Sequence, residues 1–201
     1  MRVESDAYRW ISPFYSRLSR LVFGNRLRDS KIIFLRDLAA KRILIIGGGD
    51  GSDYEEIQNE IGGEFWERSV SMLDQAKENL ENSGLSFHLG NFKSNQKFDL
   101  ICLPFVLDTM PDEELESFLF SFKKNLNPNG QVFMSDFFEP VSFRQKLLHH
   151  LMIRFFRFAT GHRRKDIPDY ELAFEKAGFK LSQEKKLLKG WVRAQLWELV
   201  S

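Results

Sequence analysis

The chain has 201 residues, with 29 Lys and Arg against 28 Asp and Glu, and a formal net charge of +1. That length suits one α/β domain with a sizeable core, and near-neutrality supplies no electrostatic reason to expect a nucleic acid. The single cysteine, Cys102, excludes a disulfide within the chain and, lying in an apolar run, reads as a small core residue.

No apolar run approaches the length that spans a bilayer, and MRVESDAYRW lacks the apolar core of a secretory signal, so the expected location is the cytoplasm. Residues 5–39 read as helical and aromatic-rich. Tyr8, Trp10, Phe14 and Tyr15 precede Gly24, and a second helical piece runs from Leu27 to Leu38.

The stretch KRILIIGGGDGSD, Lys41 to Asp53, follows. Ile43-Leu44-Ile45-Ile46 reads as a buried parallel strand. Gly47 to Gly51 then allow a sharp turn in which a ligand lies against bare backbone. A helix is expected next, with Tyr54, Ile57 and Ile61 on one face. Strand, glycine turn and helix N-terminus together make a nucleotide-type pocket. Twenty positions after Gly47, the short strand Glu64-Phe65-Trp66-Glu67 ends on an acid placed to accept from ribose hydroxyls. A solvated residue at a strand end is the ordinary alternative for Glu67.

The next helix is expected to start at Ser69 or Ser71, with Ser71 and Asp74 forming a capping box and Gly84 ending it. Leu85–Leu89 and Phe98–Leu103 read as the third and fourth strands. Leu115, Phe118, Leu119, Phe122 and Leu126 form the stripe of one helix, acidic at its start and basic near its end. Asn127 to Gly130 reads as a turn, Gln131 to Asp136 as the fifth strand, and Asp169 to Ala177 as a helix. Phe179–Leu188 and Trp191–Val200 read as a hairpin around Lys189-Gly190.

Alternating strands and helices require a parallel sheet. The expected fold is α/β: a doubly wound, mostly parallel seven-stranded sheet with a C-terminal antiparallel hairpin. Residues 1–40 would form an N-terminal helical cap on the main domain, 41–201. Ligands of such sheets bind beyond the strand carboxyl ends, which gathers Gly47–Gly51, Glu67, Gly90–Phe92 and Leu103–Phe105 around one cleft.

From Lys41 onward these residues resemble the class I S-adenosylmethionine-dependent methyltransferases. Gly47, Gly49 and Gly51 match the family's G-x-G-x-G loop, Glu67 its ribose-binding acid, and Ser71-Met72-Leu73-Asp74-Gln75-Ala76 the segment after it. Phe98-Asp99-Leu100-Ile101 and Leu126-Asn127-Pro128-Asn129-Gly130-Gln131 match the fourth strand and the loop before the fifth. More loosely, SDAYRWISPFYSRLSRLVFG is similar to the entry helix of the quinone-biosynthesis C-methyltransferases. The resemblance implies S-adenosylmethionine as cofactor, held by Gly47, Gly48, Gly49, Asp50, Gly51, Glu67, Asn91, Phe92 and Leu103. Tyr8, Tyr15 and Phe105 would face the methyl acceptor, a small molecule expected to be apolar, aromatic or lipid-like.

Three departures qualify it. Ile45 stands where the family often has an acid before the loop, a contact Asp50 could replace. Asn91 stands where an acid often meets the adenine amine, and its carbonyl can still accept. No acid–base motif fixes the substrate. The catalytic residue is therefore unknown, with His149, His150, Tyr8, Tyr15 and Asp108 as candidates for proton transfer. The alternative is a catalytically weak member that binds adenosylmethionine or a partner. An aminopropyltransferase, which GGGDG also resembles, would need an acid at the end of the fourth strand, where Leu103-Pro104-Phe105 stands. A dinucleotide oxidoreductase fits neither the post-Glu67 segment nor the hairpin.

Phe143 to Lys165 holds seven Lys or Arg, three of the four histidines and no acid. As a helix it would set Leu147, Leu148, Leu151, Met152, Phe155, Phe156 and Phe158 against Lys146, His149, His150, Arg154 and Arg157. A core-packed stripe, a substrate lid and a membrane-surface helix all fit. Metal binding is not expected, because adjacent His149 and His150 point about 100° apart on a helix. The sequence leaves peripheral membrane contact and oligomeric state open.

Overall fold

The computed structural model describes residues 23–36, 42–160 and 166–200, and the side chains of 152–160 lie outside that description. Seven strands form one sheet: β1 (Ile43–Ile46), β2 (Gly62–Glu67), β3 (Gly84–Leu89), β4 (Phe98–Pro104), β5 (Leu126–Phe137), β6 (Phe179–Leu187) and β7 (Val192–Leu199). Their order is β3-β2-β1-β4-β5-β7-β6. β1 to β5 pair in parallel, while β7 lies between β5 and β6 and is antiparallel to both. The chain winds outward from β1 to β3, then returns to place β4 on the other side of β1. This reversal opens a crevice at the carboxyl ends of β1 and β4.

Alternation along the central strands splits the core in two. Ile43, Ile45, Leu100, Cys102, Phe133 and Phe137 face one layer. There they meet helices α1 (Arg26–Ile32) and α2 (Val70–Asn79) through Leu27, Ile32, Leu73 and Ala76. Leu44, Ile46, Ile101, Leu103, Val132 and Met134 face the other. On that side α3 (Asp112–Ser121) and α5 (Tyr170–Lys176) bury Leu115, Leu119, Tyr170 and Phe174. Strands covered on both faces explain the uninterrupted apolar run ILII.

Several boundaries differ from the sequence reading. The segment after the glycines, Ser52–Glu60, is a 3-10 helix, although Tyr54 and Ile57 are buried as expected. Ser69, not Ser71, caps α2: its hydroxyl accepts from Met72 N at 3.3 Å. That helix stops at Asn79, and Gly84 opens β3. α1 is shorter than Leu27–Leu38, and Ile33–Arg36 form turns. The stripe read as one helix divides: after α3 comes a 3-10 turn, Phe122–Asn125, and Leu126 already belongs to β5. Asn127–Gly130 lies inside β5 as an irregularity, with Asn129 at φ 64° and the pairing to β4 shifting register there.

Helix α4 (Phe143–Thr160) starts with a capping box. Gln145 N donates to Ser142 Oγ at 3.3 Å, and Ser142 N donates back to Gln145 Oε1 at 3.0 Å. Its expected apolar face is divided. Leu148 packs on the core, whereas Leu147 and Leu151 are exposed. His149, expected on the polar face, is half-buried against Phe137 and Trp191, with ring centroids at 6.4 and 6.2 Å.

Candidate active site

The glycine loop leaves β1 by a sequence of left-handed turns, with Gly47, Gly49 and Gly51 at φ 71°, 69° and 73°. A side chain in that region costs about 1–2 kcal/mol. A Cβ on Gly51 would come within 2.9 Å of Leu80 Cδ1, so this residue also lets α2 pack close. A Cβ on Gly49 would meet nothing within 4 Å, so the loop presents bare backbone to open space there.

Glu67, at the end of β2, closes this loop from the neighbouring strand. Its Oε2 accepts from Gly49 N at 3.2 Å, while Oε1 accepts from Arg68 N at 2.7 Å and Ser69 N at 3.0 Å. Burial raises its pKa above the usual glutamate range, and the three backbone donors work against that rise. A carboxylate offers about four acceptor positions, so capacity remains for a hydroxyl donor. Open space at Gly49 beside a carboxylate with spare acceptor capacity suits a ligand carrying a ribose.

A family profile described as "Methyltransferase domain" matches residues 16–184. The chain belongs to this family. It is a class I S-adenosylmethionine-dependent methyltransferase, and its cofactor is S-adenosylmethionine. No curated protein matches it significantly. Among solved structures it is similar to the mitomycin 7-O-methyltransferase MmcR at 18% identity and TM-score 0.71, covering 92% of this chain and 57% of that one. An S-adenosylmethionine-dependent methyltransferase from Clostridium acetobutylicum aligns at 12% identity and TM-score 0.67, covering 96% and 100%. An O-methyltransferase family 2 protein from Planctomyces limnophilus, in complex with apigenin, aligns at 18% and 0.69, covering 98% and 62%. At these identities the likeness speaks to the fold.

The other residues expected in the methyltransferase site fall as follows. Asp50 turns its carboxylate to Ser52, accepting from its N at 3.1 Å and its Oγ at 2.8 Å, while Asn79 Nδ2 donates to Asp50 O at 2.8 Å. The loop is thereby pinned to α2. Gly48 is buried against the Phe65 ring. Asn91 is exposed after β3, where Gly90 N donates to Glu67 O at 2.8 Å. Phe92 is half-buried with Trp66 and Phe122, ring centroids at 5.7 and 6.0 Å. Leu103, backbone included, is fully buried in the core. Tyr8 and Tyr15 lie outside the described residues, as does nearly all of the segment similar to the quinone-biosynthesis enzymes.

Phe105 follows β4 in the left-handed region, φ 53°, a rare conformation for a bulky side chain. Its ring sits 5.2 Å from that of Phe137. Lys31 Nζ stands 5.6 Å over the Phe105 ring and pairs with Asp53 Oδ2 at 2.7 Å. Sequence reasoning missed both Lys31 and Asp53 here, because α1 and the loop segment meet only in the folded chain.

Asp136 was also missed. It is wholly buried at the end of β5, accepting from Phe137 N at 2.8 Å and Asp108 N at 3.4 Å. Burial, then the Asp108 charge, push its carboxyl well above the usual aspartate range. An acid closing the apolar run VFMSD was the available signal. Asp108, a proton-transfer candidate, is thus a neighbour of a second carboxyl behind the cleft. His149 has its pKa lowered by burial. His150 is exposed.

Proposed function

We propose that the chain transfers the methyl group of S-adenosylmethionine to a small apolar, aromatic or lipid-like acceptor. The donor's ribose would rest on Glu67 and its methionine end against Gly47–Gly51, with adenine between Asn91 and Phe92. The observation that carries this placement is the Glu67 carboxylate bonded to Gly49 N beside open space. The Lys31–Asp53 pair offers one charge of each sign for the zwitterionic methionine end, a contact Ile45 cannot supply.

Bound adenosylmethionine supplies a methyl on a sulfonium, and transfer needs an in-line acceptor and little covalent help. The chain's part is to hold both molecules and exclude water. Phe105, Phe137 and the apolar flank behind them favour an apolar acceptor over a charged one. The complex with apigenin of a structural neighbour supports a small-molecule acceptor. Nothing favours the catalytically weak alternative.

Calorimetry with adenosylmethionine and adenosylhomocysteine, followed by transfer from labelled donor to extracted small molecules and lipids, tests the reading. Absence of donor binding would overturn it. Removing residues 1–22 is expected to spare donor binding and abolish transfer. Full activity in that variant would exclude Tyr8 and Tyr15 from the acceptor site.

A further inference from the structure

We propose that the outward face of α4 docks this protein on an anionic lipid bilayer. Phe143, Leu147 and Leu151, spaced four apart, form one stripe and are 81%, 53% and 54% exposed. Val141, just before the helix, is 70% exposed. Three large apolar residues in line on one helix face make a contiguous patch, unlike the scattered exposed leucines of ordinary surfaces.

The helix is held firmly enough to present that face. Gln145 Nε2 donates to Leu188 O at 2.8 Å, Leu148 packs on the core, and His149 lies against Phe137 and Trp191. The inward side is therefore occupied, and the stripe points away from the body of the protein.

Charge selects the occupant. Arg144, Lys146 and His150 are exposed beside the stripe. From 143 to 165 the chain has seven Lys or Arg and no acid, leaving 22 bases against 28 acids elsewhere. Exposed Glu139, which acts on His149, is the acid that precedes Val141, but the helix itself carries only basic charge. An apolar ridge flanked by Arg144, Lys146 and His150 matches a helix lying in the interface of an anionic bilayer. It does not match a second copy of the same face, which would oppose basic residues to basic residues. Among the described residues no helix is long and apolar enough to cross a membrane, so the contact is with the surface. The ring path His149–Phe137–Phe105 ties the inward side of α4 to the residue that follows β4, opposite to the exposed stripe.

The test is co-sedimentation of the full chain with vesicles of phosphatidylcholine alone or with about 30 mol % phosphatidylserine. Pelleting is expected with the anionic vesicles only, and its loss on raising salt from about 0.1 to about 0.5 M. Leu147→Gln with Leu151→Gln should weaken partitioning about tenfold or more. Arg144→Gln and Lys146→Gln should each weaken it about fivefold. All four positions are exposed, and unchanged adenosylhomocysteine binding certifies that the variants are folded. No pelleting, equal pelleting with neutral vesicles, or folded variants that pellet like wild type would each overturn the proposal. So would a wild-type dimer in sedimentation velocity that the leucine variants dissociate. Because adenosylhomocysteine binding is read separately, failure here leaves the methyltransferase reading standing.

Discussion

Glu67 and Gly49 are joined by a hydrogen bond of 3.2 Å from the loop amide to the carboxylate. One contact thus ties the turn after β1 to the end of β2, the two segments on which the proposed donor placement rests. Glu67→Ala should weaken adenosylmethionine binding by about 1–3 kcal/mol, the effect of leaving polar groups unpaired. Calorimetry on a folded variant checks this, and wild-type affinity would remove Glu67 from the site. Since the ionised carboxylate is the better acceptor and burial raises its pKa, affinity should fall with acidification sooner than for an ordinary glutamate. Glu67→Gln should flatten that dependence.

Gly49→Val should abolish donor binding. A Cβ at this position meets no protein atom within 4 Å, so the loss is expected from filling the open space, with left-handed backbone strain of about 1–2 kcal/mol added. Gly49→Ala separates the two: it carries the strain with less bulk. A Gly49→Val protein that melts a few degrees lower yet binds normally would show that the ligand does not pass there.

Lys31→Met should weaken adenosylhomocysteine severalfold while leaving methylthioadenosine, which lacks the amino-acid end, unaffected. The comparison matters because the Lys31–Asp53 pair, with side chains 15% and 21% exposed, could instead only fasten α1 to the loop segment. Equal weakening of both ligands would support that structural role.

Asn91→Leu should weaken adenosine-containing ligands by about 1 kcal/mol, through loss of an acceptor for the exocyclic amine. Phe92→Ala should act on both binding and stability, since the ring already packs on Trp66 and Phe122. A ligand-bound structure with adenine beyond a water-bridged distance of both residues would end the assignment.

Asp136 makes the stability of this protein depend on pH. Its folded pKa is raised, so the native state keeps a proton that the unfolded chain has released. That contribution is fully present below the unfolded pKa and is lost as pH rises through the folded one. Asp136→Asn should remove this slope, and its stability relative to wild type should grow as pH rises above the ordinary aspartate range. Urea titrations over that rise in pH measure it. Parallel curves for the two proteins would show that Asp136 is ionised in the fold.

Local pattern alone determined much of this protein. The β-branched run ILII, the alternation of strands with capped helices and the Lys189-Gly190 hairpin specified a parallel sheet with an antiparallel end. The glycine loop and Glu67 stood out in the sequence as well, and the fold joins them by a hydrogen bond. These signals are short-range: a left-handed turn needs glycine, and a strand buried on both faces needs apolar residues. Tertiary structure decided what depends on partners distant in sequence. Asp136 reads as a polar strand end until the turn carrying Asp108 closes over it, and Lys31 reads as a surface base until Asp53 and Phe105 arrive beside it. In α4, hydrophobicity could not say which leucines meet the core. Leu148 faces Trp191's layer and Leu147 faces outward because the Gln145–Leu188 contact sets the helix rotation.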